Sequence, residues 1–490
     1  MTFVNKLFEK YKKLPLAAKA SMWFVVCSVL QKGISVITTP IFTRILSQED
    51  YGTISVYNTW LSIITIFATL ELSSGVFNKA MVKYSHDRNG YTASCLFISS
   101  IITLCLFGFY YKYRDLFNGY LGLDTKYVVL MFISIFFTTA ISLFCAKLRF
   151  TYRYLPVVII TVSTSILSTI SSLLFVLNTN TEKAFARILG SLIVTSIIYS
   201  VIFVKIFIEG KKIVQKESVS FTLRNGIYLV PHYLSQIILN ESDRIMIDKY
   251  CGKVDTANYT LAYQMAIMMR FLTDAIHASF VPWTFQNMET KNYQTIGKRA
   301  FQIELFIGLA CSLFALFGPE FIWLMGGKNY SGSVYVVPPV AMSVLLITLY
   351  SFFGNIEFYF EETKLISFAS ILIAALNVGL NFVFIKLYGY VAAGYTTLAC
   401  YTIYTIVHYL FMLRILKKNQ TDNPYNGKLM FLTAVFFIGI SIGISFLYRF
   451  SIVRYVLIAV LVPIIIIYLI KNKENIVGKK NIIKEDTYEQ

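Results

Sequence analysis

Charged residues are scarce in this 490-residue chain, at 14 % of the total, against roughly 25 % in soluble domains. Acids are scarcer than bases, 26 against 44. So little polar surface cannot cover a soluble globule of this length, which excludes that class. Histidine is limited to His86, His232, His277 and His408, too dispersed for a metal site. The seven cysteines are odd in number, show no CxxC spacing, and all but Cys251 lie in apolar runs. They read as small buried hydrophobes, not as a disulfide or zinc framework. Walker A, HExxH and Rossmann glycine patterns are all missing. No enzymatic chemistry and no cofactor or metal are therefore expected. No basic domain stands outside the apolar runs, so the net charge of +18 does not point to nucleic acid. A cleavable leader is not expected either, since the first apolar run starts only near Ser21.

Apolar sequence is what the chain has instead. Hydrophobic residues make up 56 % of it and the mean hydropathy is +0.63. Fourteen runs approach the roughly 20 residues a helix needs to cross a bilayer. They fall at 21–43, 54–76, 92–111, 127–147, 155–177, 184–207, 226–249, 258–284, 301–325, 334–357, 365–386, 390–413, 429–448 and 452–470. The spans 226–249 and 334–357 carry internal charge or proline. The expected fold class is an all-α membrane protein of about 14 transmembrane helices.

Short loops leave only two faces. Lys and Arg number 29 on the side of the N-terminus and 11 on the other. The positive-inside rule makes the first side cytoplasmic, with both termini there. Residues 1–20 read as an amphipathic segment at the lipid surface, because Phe3, Val4, Leu7, Phe8 and Tyr11 alternate with lysines at helical spacing. The tail, 472–490, is short and charged.

A shift of 206 residues lays Tyr57 on Tyr263 and Ser171 on Asn377. Six runs precede residue 220 and six follow, so both halves start on the same side. This parallel repeat implies two pseudo-symmetric six-helix lobes, 21–210 and 220–415, followed by two extra helices at 428–471.

Ionisable groups inside a span are expensive and need a partner or a wet cavity. Lys32 lies mid-span with Ser28, Ser35 and Thr39 beside it, a polar stripe that suits a cavity wall. Arg187, Arg244 and Arg270 complete a set of basic groups for an anionic ligand. Lys32 and Arg270 are expected to face a shared watery cavity. Glu241, Arg244 and Asp248 share one face of the seventh span, and Asp243 lies beside them. Arg270, Asp274 and His277 share one face of the eighth. Glu241, Asp243, Asp248, Asp274 and His277 are the candidates for gating or ion coupling, with static ion pairing the alternative. Glu71 falls off the Asn58–Ser62–Thr65–Thr69 stripe and is expected to pack between helices. Asn377 and Asn381, four apart, are expected to make an interhelical hydrogen bond.

The segment TTPIFTRILSQEDYGTISVYNTW carries Pro40, Arg44, Leu46, Ser47, Asp50, Tyr51 and Gly52 in a pattern that resembles the polysaccharide-biosynthesis flippase family. Pro231, Ser242-Asp243-Arg244, Gly252 and Tyr259 resemble that family's second-lobe entry, though Asn258 departs from its usual glycine before the tyrosine. Asn377, Asn381, Gly389, Ala393 and Gly394 supply a third match. The resemblance implies the multidrug/oligosaccharidyl-lipid/polysaccharide exporter fold. It also implies transfer of an undecaprenyl-diphosphate-linked oligosaccharide, such as O-antigen, across the bacterial cytoplasmic membrane. The expected partners are that substrate, membrane lipids and other polysaccharide-assembly proteins. Without an ATPase motif, an ion gradient would have to drive alternating access. A multidrug exporter of the same fold, or a membrane-embedded oligosaccharide polymerase or ligase, are the competing readings. The second of these usually needs a large outer loop, which 112–126 does not provide.

Overall fold

The computed structural model describes residues 15–73, 75–211 and 215–477. Most of the expected N-terminal interfacial segment and of the C-terminal tail lie outside the described residues. Within them the chain is helical and contains no strand. The helices are α1 (Leu16–Ile45), α2 (Gln48–Thr69), α3 (Gly75–Lys83), α4 (Arg88–Lys112), α5 (Arg114–Leu121), α6 (Thr125–Phe150), α7 (Tyr154–Leu177), α8 (Lys183–Gly210) and α9 (Lys216–Cys251). They continue as α10 (Lys253–Ile267), α11 (Met269–Glu289), α12 (Tyr293–Leu316), α13 (Gly318–Gly326), a 3₁₀ stretch Lys328–Val336, α14 (Val337–Tyr359), α15 (Thr363–Tyr388), α16 (Val391–Lys418), α17 (Gly427–Leu447) and α18 (Ser451–Val477).

Lipid is the solvent that these helices require. On α8, Ile197, Val201, Val204 and Ile208 follow one another at helical spacing and are 55–72 % exposed. Water would not tolerate such a stripe on a helix of roughly 42 Å. The chain is a multi-pass membrane protein. Ten of its described helices are long and apolar enough to cross a bilayer. Four of the fourteen expected crossings rest on other helices. The run 54–76 is broken between α2 and α3, and 258–284 between α10 and α11. The run 226–249 falls on the charge-bearing α9, and 452–470 on α18. The proline-bearing run 334–357 is one of the ten.

The chain forms two compact units. The first runs to Asn258 and includes Met325–Gly327; the second takes Tyr259–Leu324 and the rest. Helix α9 packs on α2 in the first unit. The core of the first unit joins α3, α4, α6, α7 and α8 through Phe77, Tyr91, Leu96, Phe144, Val157 and Ile206. In the second unit α14 packs on α16 and α12, and Leu316, Ile444 and Ile458 tie α12 to α17 and α18.

Local chemistry explains the LSQEDYG segment. Ser47 and Asp50 form a capping box that starts α2, the Ser47 hydroxyl accepting from the Asp50 amide at 3.0 Å. The other Asp50 oxygen accepts from the Ala184 amide at 3.1 Å, so one carboxylate caps α2 and α8 together. Gly52 has no side chain because a Cβ there would stand 2.0 Å from the Lys253 carbonyl oxygen. At the end of α15, Gly389 adopts φ +74°, which a side chain would strain. Asn381 donates to Asn377 at 3.1 Å and accepts from Thr396 of α16, which makes the interhelical bond expected for this pair.

Candidate functional site

Five helices of the first unit, α1, α2, α6, α7 and α8, line an open cavity of about 450 Å³. Each contributes one polar face, because residues three and four apart on a helix point the same way. Helix α7 supplies Ser165, Ser168, Thr169 and Ser172, and α8 supplies Arg187, Ser191, Thr195 and Tyr199. Gln31, Ser35 and Thr38 come from α1, Tyr57 and Asn58 from α2, and Ser134 and Thr138 from α6.

Half of these hydroxyls spend their proton on a backbone carbonyl. Thr138 donates to Ser134 O at 2.7 Å, Thr169 to Ser165 O at 2.8 Å and Thr195 to Ser191 O at 3.1 Å. Ser172 donates across to Arg187 O on α8 at 2.9 Å. Their oxygen lone pairs are what remain for a ligand, so the wall is rich in acceptors. Among the described residues of this wall, Arg187 alone carries a formal charge. Its guanidinium lies over the Phe42 ring, 4.1 Å from the centroid, and 5.7 Å from that of Tyr51. Stacking of this kind fixes the planar fork while leaving it able to donate. The cavity can therefore accept hydrogen bonds from hydroxyl groups and bind negative charge at one place.

The candidate residues distribute unequally around this cavity. Arg187 lines it. Lys32 is exposed on α1 and is not part of this wall, although its neighbours Gln31 and Ser35 are. Arg244 is 8 % exposed on α9, donates to Asn240 O at 2.9 Å, and acts electrostatically with Arg187 on the Tyr51 hydroxyl. Glu241 is half-buried and Asp243 fully buried on α9. Asp248 pairs with Lys253 at 2.7 Å, a partner outside the expected Glu241–Arg244–Asp248 face. Lys253 also donates to Gly122 O at 3.0 Å, tying the start of α10 to the turn after α5. In the second unit Arg270 is half-buried and interacts with Asp274 and with Tyr263, Tyr350 and Tyr401. Asp274 is exposed, and the His277 ring lies 5.7 Å from Phe352.

Two features were not read from the sequence. The serine face of α7 and the Ser191–Thr195 face of α8 form one side of the cavity, and their signal was hydroxyls at spacings of three and four inside very apolar helices. Glu71 was expected to pack between helices, away from Thr65 and Thr69. It lines a second cavity with both of them. The reason is local. Helix α2 ends at Thr69, and Leu70 and Glu71 turn left-handed at φ 49° and 51°, so the helical register no longer applies at Glu71.

Comparison with known proteins adds a consistent pattern. Residues 17–288 match the family described as "Polysaccharide biosynthesis protein". A protein of the Lsg locus of Haemophilus influenzae is 23 % identical over 72 % of this chain and 88 % of its own length. An uncharacterised membrane protein of the same organism is 24 % identical over 74 % and 88 %. Among solved structures, the lipid II flippase MurJ in an inward closed conformation superposes with a TM-score of 0.63 at 14 % identity, over 87 % of this chain and 99 % of its own. An inward-facing multidrug resistance MATE family transporter of the MOP superfamily superposes at 0.58 and 15 % identity, over 82 % and 99 %.

Proposed function

Because the chain belongs to the polysaccharide biosynthesis protein family, we propose that it is a flippase for undecaprenyl-diphosphate-linked oligosaccharide repeat units, such as those of O-antigen or capsule. It would carry them across the bacterial cytoplasmic membrane, with both termini on the cytoplasmic side. The observation that supports this reading best is the first unit's cavity, with a wall of hydroxyl acceptors and one stacked guanidinium. Sugar hydroxyls are the natural donors for such a wall. A diphosphate is the natural ligand for Arg187, which can grip two phosphate oxygens at once. The polyprenyl tail needs no site of its own, since lipid solvates it. Lys32, Arg244 and Arg270 would add positive potential along the path.

The multidrug-exporter reading is weaker. A cavity for cationic drugs needs a carboxylate, and none lines this one among the described residues. We take the repeats 21–210 and 220–415 as the lobes whose rearrangement exposes the site to each face in turn. Asp274 and His277 are proposed to bias that rearrangement, since a ligand can shift an equilibrium only by its different affinity for the two states. Reconstitution tests the reading. Proteoliposomes should translocate a polyprenyl-diphosphate-linked oligosaccharide, and Arg187→Ala should slow this while leaving the protein folded. Equal translocation by the variant, or none by the native protein, would remove the proposal.

A further inference from the structure

We propose that the second cavity of the first unit, at the break between α2 and α3, is a binding site for one sodium ion, with Glu71 as its anionic ligand. The cavity holds about 160 Å³. Beside Glu71 its wall carries the hydroxyls of Thr65, Thr69, Ser99, Thr139 and Ser142. No other charged side chain lines it among the described residues.

Three observations point to a cation here. The hydroxyls present oxygen lone pairs. Thr65 donates to Leu61 O at 2.6 Å, Thr69 to Thr65 O at 2.8 Å and Thr139 to Ile135 O at 2.7 Å, so their protons are committed to the backbone. Second, Ser99 is 1 % exposed, and its hydroxyl oxygen has no hydrogen-bond partner although it borders the cavity. A buried hydroxyl without a partner is uncommon, and a ligand is one way of completing it. Third, two consecutive side-chain-bearing residues, Leu70 and Glu71, hold left-handed backbone angles. Such strain persists where the surrounding structure imposes it, and it gathers at functional sites.

The chemistry selects the ion. All the ligands are hard oxygens, which suit alkali and alkaline-earth cations and not softer metals. A single carboxylate balances one positive charge, whereas calcium sites usually assemble several carboxylates. A proton would need the carboxylate alone and would leave the hydroxyl cage unexplained. Breaks in transmembrane helices of other transporters hold sodium in the same manner, with unwound backbone beside side-chain oxygens. Thr138 lines both this cavity and the larger one. An ion at Glu71 would therefore sit next to the wall that faces the substrate, where its occupancy can be felt.

The test needs no lipid-linked substrate, so its failure is distinct from failure of the flippase reading. Thermal unfolding of the purified, detergent-solubilised protein is followed while sodium chloride replaces choline chloride at fixed ionic strength and pH. A ligand that binds only the folded state raises Tm with its concentration. The proposal expects a saturable rise with sodium and a much smaller one with potassium. Glu71→Gln should abolish the rise, and Ser99→Ala should shift its midpoint several-fold upward. Radioactive sodium binding by the same samples should follow the same order. If Glu71→Gln does not fold, the Ser99→Ala shift and the sodium-over-potassium preference of the native protein decide the matter. No sodium response, an equal response to potassium, or a full response in Glu71→Gln would overturn the proposal. A response to pH alone would overturn it in favour of a proton.

Discussion

Glu357 of α14 and His408 of α16 meet at 2.6 Å, with side chains 0 % and 1 % exposed. The rings of Tyr350 and Tyr404 close around the imidazole, with centroids 5.5 and 4.5 Å away. The pair spans the two most intimately packed helices of the second unit. Losing one partner leaves a polar group buried alone. Glu357→Leu is expected to destabilise the folded protein by about 3–5 kcal/mol. The double replacement Glu357→Leu with His408→Leu should recover most of that loss, because no orphan remains. Unfolding of each variant in detergent measures both numbers. A double variant as unstable as the worse single one would show that packing, not pairing, matters there.

Arg187 and Lys32 are expected to differ. Arg187 borders the hydroxyl-lined cavity and Lys32 does not. A charge-assisted hydrogen bond is worth about 1.5–3 kcal/mol, so Arg187→Ala should slow flipping roughly 10- to 100-fold. Lys32→Ala should cost less, and Arg187→Lys should fall between, since an ammonium cannot reproduce the stacked fork. Initial rates in proteoliposomes give the order. A larger defect in Lys32→Ala would move the anion site away from this cavity.

Gly52 faces the Lys253 carbonyl with no room for a methyl group, whereas Gly33 meets nothing within 4 Å. Gly52→Ala should destabilise the first unit by about 1–3 kcal/mol through overpacking. Gly33→Ala should be neutral or stabilising by up to about 1 kcal/mol, because alanine is the better helix former. Thermal unfolding in detergent compares the two at equal added volume.

Asp50 caps α2 and α8 at once, its carboxylate accepting from the Ser47 amide at 3.2 Å and from the Ala184 amide at 3.1 Å. Asp50→Ala removes both caps and should cost about 1–2 kcal/mol. Asp50→Asn keeps one of the two acceptor oxygens and should cost less. Unfolding of both variants separates the loss of one cap from the loss of both.

The topology expected from the basic residues has its own measurement. In a cysteine-free background, a cysteine at Asn180 should react with an impermeant reagent from outside intact cells. One at Lys216 should react only after permeabilisation. The opposite pattern would invert the assignment of faces.

The chain's membrane residence, its helices and its family follow from the sequence itself. Apolar runs of near-bilayer length leave no other solvent, and the LSQEDYG segment is a capping signal readable three residues at a time. Asn377 and Asn381 could be paired on paper because both lie on one unbroken helix. Tertiary structure decided the rest. Helical period says which residues share a face of α7 or α8, but only packing says that these faces turn to the same cavity as those of α1 and α2. It also chose Lys253 as the partner of Asp248, five residues on and past the end of the helix. Glu71 shows the limit most clearly. Periodicity assumes a continuous helix, and two left-handed residues after Thr69 reset its phase and carry the carboxylate back to the threonines it was expected to avoid.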